Sequence, residues 1–181
     1  MNSYRRSAAA AVALFVTVGC AVPIRVNSYV ERGADLSRYR TYDFAPVEEA
    51  PTGDPRLDSN PFFNERIRAA AANGLIGRGY VRVSSSAAEL VVHFHASVVQ
   101  DINIDELDRQ RGYCPEDGCR PFAYDAGTLL IDIVDSRTGK IVWRGWAESS
   151  FEGLVDNQSW LEERIDTAVG RIIAKMPRRA S

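Results

Sequence analysis

The stretch Gly127-Thr-Leu-Leu-Ile-Asp-Ile-Val-Asp-Ser-Arg-Thr-Gly-Lys-Ile-Val-Trp-Arg-Gly-Trp-Ala-Glu148 constrains the fold more than any other part of the chain. Two β-rich runs flank Arg137-Thr138-Gly139. A three-residue loop ending in glycine suits a type I turn closed by a left-handed bulge residue, so the stretch predicts a β-hairpin. With Ser136 facing Lys140, Ile133 faces Trp143 and Asp132 faces Arg144. Leu129, Ile131, Ile133, Ile141, Trp143 and Ala147 then share one face, and Asp132 and Arg144 form an opposite-charge pair on the other. A slip of one residue would set Asp132 against Trp143 and Ile131 against Arg144, so alternation selects the first register. The second face also carries Leu130, Val134, Val142 and Trp146. That much apolar surface implies partial cover or a contact site, with Leu130, Val142 and Trp146 as the candidate partner surface.

The start of the chain reads differently. Arg5 and Arg6 precede an apolar run from Ala8 to Val18, about a dozen residues long. That is the length of a signal-peptide core and too short to span a bilayer. Thr17-Val-Gly-Cys20 follows and resembles a bacterial lipobox, in which the cysteine is lipidated and becomes the new N-terminus. Thr17 stands where leucine is usual. The other readings are an ordinary secretory signal, a membrane anchor and, from Arg5-Arg6, twin-arginine export. The expected organisation is a lipoprotein signal peptide over 1–19, an N-terminal arm over 20–34 behind lipidated Cys20, and one domain over 35–177. Ala21 after the cysteine resembles the sorting pattern for the outer membrane, facing the periplasm. The membrane is then a partner through the lipid anchor.

Charge and cysteine content narrow the function classes. The chain of 181 residues carries a net charge of −2, and the leader takes two arginines with it, leaving a more acidic remainder. No basic patch is interleaved with aromatics, so no nucleic-acid partner is expected. Besides Cys20, the cysteines are Cys114 and Cys119, in Cys114-Pro-Glu-Asp-Gly-Cys119. Pro115 and Gly118 let the chain turn back, and an oxidising compartment favours a disulfide. So short a loop contributes only about 2 kcal/mol. The spacing is not that of a C-x-x-C redox pair.

Along the chain, 21–34 reads as extended, and Thr41 to Ala45 as a strand with Tyr42 and Phe44 on one face. Pro46 to Asp58 is a loop. Asn60-Pro61 starts a helix, with asparagine as N-cap and proline at the first position, and Gly77 and Gly79 end it. Tyr80 to Val83 is a short strand, and Glu89 to Gln100 is the longest. After the charged segment 101–124 and the hairpin, residues 157–176 form a closing helix with Trp160, Leu161, Ile165, Ala168, Val169, Ile172 and Met176 on its apolar side. The expected fold is α+β, an antiparallel β-sheet with two helices packed on one face. The expected core is Phe44, Phe63, Ile67, Leu75, Phe94, Ile131, Trp143, Ile165 and Ile172.

Tyr39-Arg-Thr-Tyr-Asp-Phe44, Asn60-Pro61, Gly79-Tyr80, Ala88-Glu-Leu-Val-Val92, Gly127-Thr-Leu-Leu-Ile-Asp132, Thr138-Gly-Lys-Ile-Val-Trp-Arg-Gly145 and Met176-Pro177 together resemble the bacterial lipoproteins called domain of unknown function 4136. The resemblance covers nearly all of the chain after the leader, and the hairpin with its tryptophan is its most specific part. It implies no activity and no catalytic residues. The segment with Cys114 and Cys119 departs from the pattern.

His93 and His95 are the only histidines and fall on one face of their strand. With Asp132 nearby they could form a site for zinc or copper. The plainer reading is a pair of polar residues on the outer face of a half-buried strand. Ser97 shares that face but sits along the strand rather than at a turn, which argues against a nucleophile. Asp105-Glu106 and Glu116-Asp117 read as solvated loop charges. No phosphate loop, dinucleotide fingerprint or zinc-protease motif is present, and no cofactor is expected. The leading expectation is a non-enzymatic binding or structural module with an envelope protein or lipid as partner. A metal-binding module and an enzyme of unknown type follow.

Overall fold

A computed structural model of the chain describes residues 23–47, 51–58, 60–102, 123–151 and 153–178. Cys20, Cys114 and Cys119 lie outside the described residues.

The elements run β1 (Arg25–Val30), β2 (Thr41–Phe44), α1 (Pro61–Ile76), β3 (Val81–Arg82), β4 (Leu90–Ile102), β5 (Ala123–Asp135), β6 (Ile141–Ser150) and α2 (Gln158–Lys175). The strands form one sheet in the order β1-β6-β5-β4-β2-β3. Pairing is antiparallel from β1 across to β4, but β2 runs parallel to both β3 and β4. The sheet is therefore mixed, which corrects the purely antiparallel expectation. The reason is the path through α1. The helix carries the chain back past the sheet between β2 and β3, and such a crossover returns the next strand parallel to the first. Strand β1, within the stretch expected as an arm, pairs with β6 along its whole length, from Arg25 opposite Glu148 to Val30 opposite Trp143.

Both helices lie on one face of the sheet. Beneath them are Leu90 and Val92 of β4, Leu129, Ile131 and Ile133 of β5, and Trp143 and Ala147 of β6. From α1 come Phe63, Ile67, Ala71 and Leu75, and from α2 Leu161, Ile165, Val169, Ile172 and Ile173. Gly145 sets how closely α2 approaches. A Cβ there would stand 2.7 Å from Ile172 Cγ2 and collide with the Trp143 ring. Of the expected core, only Phe94 falls short of full burial, and the Arg68 guanidinium lies 5.8 Å from its ring centre and covers it. Trp160 was expected on the apolar side of the closing helix and is 60% exposed. It sits in the first turn, one residue before packing begins at Leu161.

The caps follow the sequence signals with one adjustment. Asn60 accepts from the Phe63 N–H, and Asn157 accepts from the Trp160 N–H. At the end of α1, Tyr80 N donates to Leu75 O and Gly79 N to Ile76 O, a Schellman closure with Gly79 at φ +89°. Gly77 is ordinary helical backbone. The two helices run in the same direction. Arg66 pairs with Asp166 toward their N-terminal halves, while Arg78 donates to Ala174 O and Met176 O at their C-terminal ends. Arg78 thus satisfies carbonyls at the end of α2.

The hairpin keeps its central register and changes its tip. Asp132 faces Arg144 and Ile133 faces Trp143, but Val134 then faces Ile141, so Val142 is the extra residue of a β-bulge. The loop is Ser136–Gly139, one residue longer than expected, closed by bonds between Asp135 and both Lys140 and Gly139. The bulge exchanges two expected positions: Ile141 is 37% exposed, and Val142 is 6% exposed and joins the core.

Asp135 organises this tip. Its buried carboxylate accepts the Tyr39 hydroxyl at 2.6 Å and the backbone N–H groups of Arg137 and Thr138. The Tyr39 hydrogen bond leads in drawing its pKa from 3.8 down to about 2, with the two backbone bonds adding to it against the opposing effect of burial. The folded value lies below the unfolded one, so the stabilisation is present above about pH 4 and is lost as pH falls toward about 2, with a total of about 2 kcal/mol. An Asp135→Asn protein should therefore be less stable than the parent near neutral pH, and urea unfolding should show the gap closing as pH approaches about 2. A gap that stays constant over that range would show that Asp135 is not charged in the folded protein.

Candidate functional site

The sheet face opposite the helices is the candidate surface, because the strand pairing gathers its side chains into rows. One row crosses four strands: Tyr29 on β1, Arg144 on β6, Asp132 on β5 and His93 on β4. The next row holds Asn27, Trp146, Leu130 and His95. A third holds Arg25, Glu148, Thr128 and Ser97. The middle row sets Trp146 and Leu130 side by side between Asn27 and His95, and it lies between two more polar rows.

Asp132 and Arg144 form the fixed point of this surface. Arg144 Nε and one terminal nitrogen each reach an Asp132 carboxylate oxygen at 2.6 Å, a two-pronged charge-assisted contact. Asp132 is buried, while Arg144 keeps 40% of its side chain exposed. The hydrogen bond to Asp132 raises the Arg144 pKa further above its ordinary value. A pair held this way positions the two strands and presents the rest of the guanidinium to solvent. Both carboxylate oxygens are already engaged, so the geometry is poor for proton transfer.

The residues singled out from sequence are distributed as follows. His93 stands directly across from Asp132 and His95 directly across from Leu130, and both are half-buried. Ser97 lies two residues from His95 and four from His93 on the same strand face, in line with them rather than presented at a turn. No group of three or more histidine, cysteine, aspartate or glutamate side chains is placed to hold a metal ion among the described residues. A tetrahedral site needs such a group. Leu130 and Trp146 form a direct cross-strand pair, both half-buried. Val142 was expected beside them and is not on this face, because the bulge turns it into the core. Tyr29 and Asn27 complete the rows but were not anticipated, because β1 had not been placed in the sheet. The alternation of Ile24, Val26 and Ser28 with Arg25 and Asn27 was the signal available.

On the helix side an apolar cleft of about 60 Å³ opens at one end of the sandwich, lined chiefly by Ile24, Phe63, Val98, Phe151, Leu161 and Ile165. Small-molecule sites usually measure several hundred Å³ and hold a few convergent polar groups. This cleft is smaller and almost wholly apolar. Among the described residues its one charged lining residue is Arg164, which donates to the Ser149 hydroxyl.

The family described as "Domain of unknown function (DUF4136)" matches residues 26–178. No curated protein matches the sequence. Among solved structures, a PDZ domain protein from Parabacteroides distasonis superposes with a TM-score of 0.55 at 15% identity, over 88% of this chain and 36% of that one. The chain therefore spans just over a third of that protein, and the likeness concerns fold. The PelC dodecamer from Paraburkholderia phytofirmans superposes with a TM-score of 0.49 at 14% identity, over 87% of this chain and 100% of that one.

Proposed function

The chain belongs to the family described as domain of unknown function 4136, and on that premise we propose that it is a bacterial envelope lipoprotein whose domain is a non-enzymatic binding or structural module. Acyl chains on Cys20 hold it to the membrane, on the periplasmic side of the outer membrane as Ala21 favours. The observation that carries this reading is the order Arg5-Arg6, an apolar run ending at Val18, then Gly19-Cys20. Each of these parts has a physical task. The arginines orient the leader, the run is long enough to engage the export machinery and too short to span, and the cysteine supplies the thiol for lipid attachment.

The binding role is supported by the sheet face opposite the helices, which no helix among the described residues covers. Leu130 and Trp146 give a small apolar centre, flanked by the Asp132–Arg144 pair and by the Arg25–Glu148 row. An apolar centre with a polar rim is how protein contact surfaces are built, and an aromatic residue at such a centre often dominates the binding energy. The partner fitting this surface is an envelope protein or a lipid. Mass spectrometry of the protein isolated from membranes tests the proposal. The expected mature chain begins at Cys20 and carries acyl groups there. A chain with residues 1–19 still attached overturns it.

A further inference from the structure

The sequence and the topology together place the tether. Only four residues separate Cys20 from Arg25, the first residue of β1. From Cys20 to Arg25 the chain can therefore reach at most about 18 Å. Arg25 pairs with Glu148, two residues from the end of β6, and Glu148 faces Thr128, so β1 begins about halfway along β5 with its N-terminal side toward the end that carries Ile102 of β4 and Ala123 of β5. Seven residues of β5 separate Thr128 from Asp135, so the hairpin tip lies about 23 Å from the level of Arg25, at the opposite end. The helices run in the same direction, and their first turns lie at the tether end. Phe63 of α1 and Leu161 of α2 both line the apolar cleft there, together with Ile24 and Val98.

Each of three of these cleft residues has an exposed apolar neighbour in sequence. Phe62 is 39% exposed, Val99 56% and Trp160 60%. A solvent-facing tryptophan in the first turn of an amphipathic helix is out of place on a surface that meets only water. It suits a membrane interface, where an apolar ring can sit among acyl chains with its N–H among headgroups.

We propose that the end of the domain bearing Phe62, Val99 and Trp160 is apposed to the bilayer, and that these side chains enter the lipid interface when Cys20 is anchored. This rests on the lipoprotein reading above. The occupant of the surface is lipid, because the five-residue step from Arg25 back to Cys20 is too short to let this end stand far from the membrane. The hairpin tip then points away from the bilayer.

The test uses the full-length protein, acylation of Cys20 confirmed by mass, in phosphatidylethanolamine and phosphatidylglycerol vesicles with bromine in the acyl chains. Brominated lipid should quench the tryptophan emission, and a Trp160→Phe variant should lose about half or more of that quenching, since Trp143 is buried and Trp146 lies on the sheet face. Acylated protein that floats with the vesicles while Trp160→Phe leaves the quenching unchanged overturns the orientation and leaves the anchor standing. Protein that carries no acyl group overturns the anchor itself, and the orientation with it.

Discussion

A Cys20→Ser precursor is expected to leave the membrane fraction on an alkaline wash that the unaltered protein withstands. The argument is one of magnitudes. Each acyl methylene buried in the bilayer contributes about 0.8 kcal/mol; one chain holds a protein reversibly, and a second makes the attachment stable. Serine lacks the thiol that takes the lipid, so the whole of that contribution disappears at once. The serine variant can keep its leader, but the apolar run from Ala8 to Val18 falls well short of the roughly 20 residues that cross the hydrocarbon core. No helix is long and apolar enough to cross a membrane among the described residues. The remaining attraction is then a short leader and whatever the exposed Phe62, Val99 and Trp160 supply, which an alkaline wash removes. Immunoblots of washed and unwashed membranes read the result. Equal retention of the two proteins would mean that something other than lipid on this cysteine holds the chain.

Sequence and structure agree where a local rule was sufficient. The centre of the hairpin was legible because strict alternation from Leu129 to Ile133 and from Trp143 to Ala147 leaves one register that keeps Asp132 out of the core. Helix α1 was legible because Asn60, Pro61 and Gly79 each mark a boundary by their own backbone chemistry. What depended on remote partners was not legible. The bulge at Val142 follows from the longer loop, and that loop is held by Asp135, which takes one of its bonds from Tyr39, 96 residues away in the chain. The parallel pairing of β2 depends on where α1 returns the chain, which no four-residue strand can announce. The same holds for the candidate surface. The Asp132–Arg144 pair could be read within the hairpin. The row that extends it to Tyr29 and His93 required knowing that β1 and β4 flank the hairpin on either side.

The heart of this fold should prove to be Trp143, and replacing it by alanine should lower the melting temperature more than any other single change to the three tryptophans. The side chain is fully buried. It stands between Ile133 on β5 and Val30 on β1, with its ring over Gly145 and against the layer that includes Ile172. Removing a buried tryptophan costs about 3–5 kcal/mol, because the cavity closes only in part. For a domain of this size that corresponds to a fall of about 6–20 °C. Trp160→Ala, on an exposed residue, should stay within about 0.5 kcal/mol of the parent. A third variant separates shape from polarity. The Trp143 Nε1 hydrogen has no partner among the described residues, and a buried donor left unsatisfied costs about 1–3 kcal/mol. Trp143→Phe gives up volume but removes that donor, so its loss should be markedly smaller than that of Trp143→Ala. Thermal unfolding of the three variants side by side decides the matter. If Trp143→Ala melted within about 2 °C of the parent, the ring could not be the piece on which β1, the hairpin and α2 all pack.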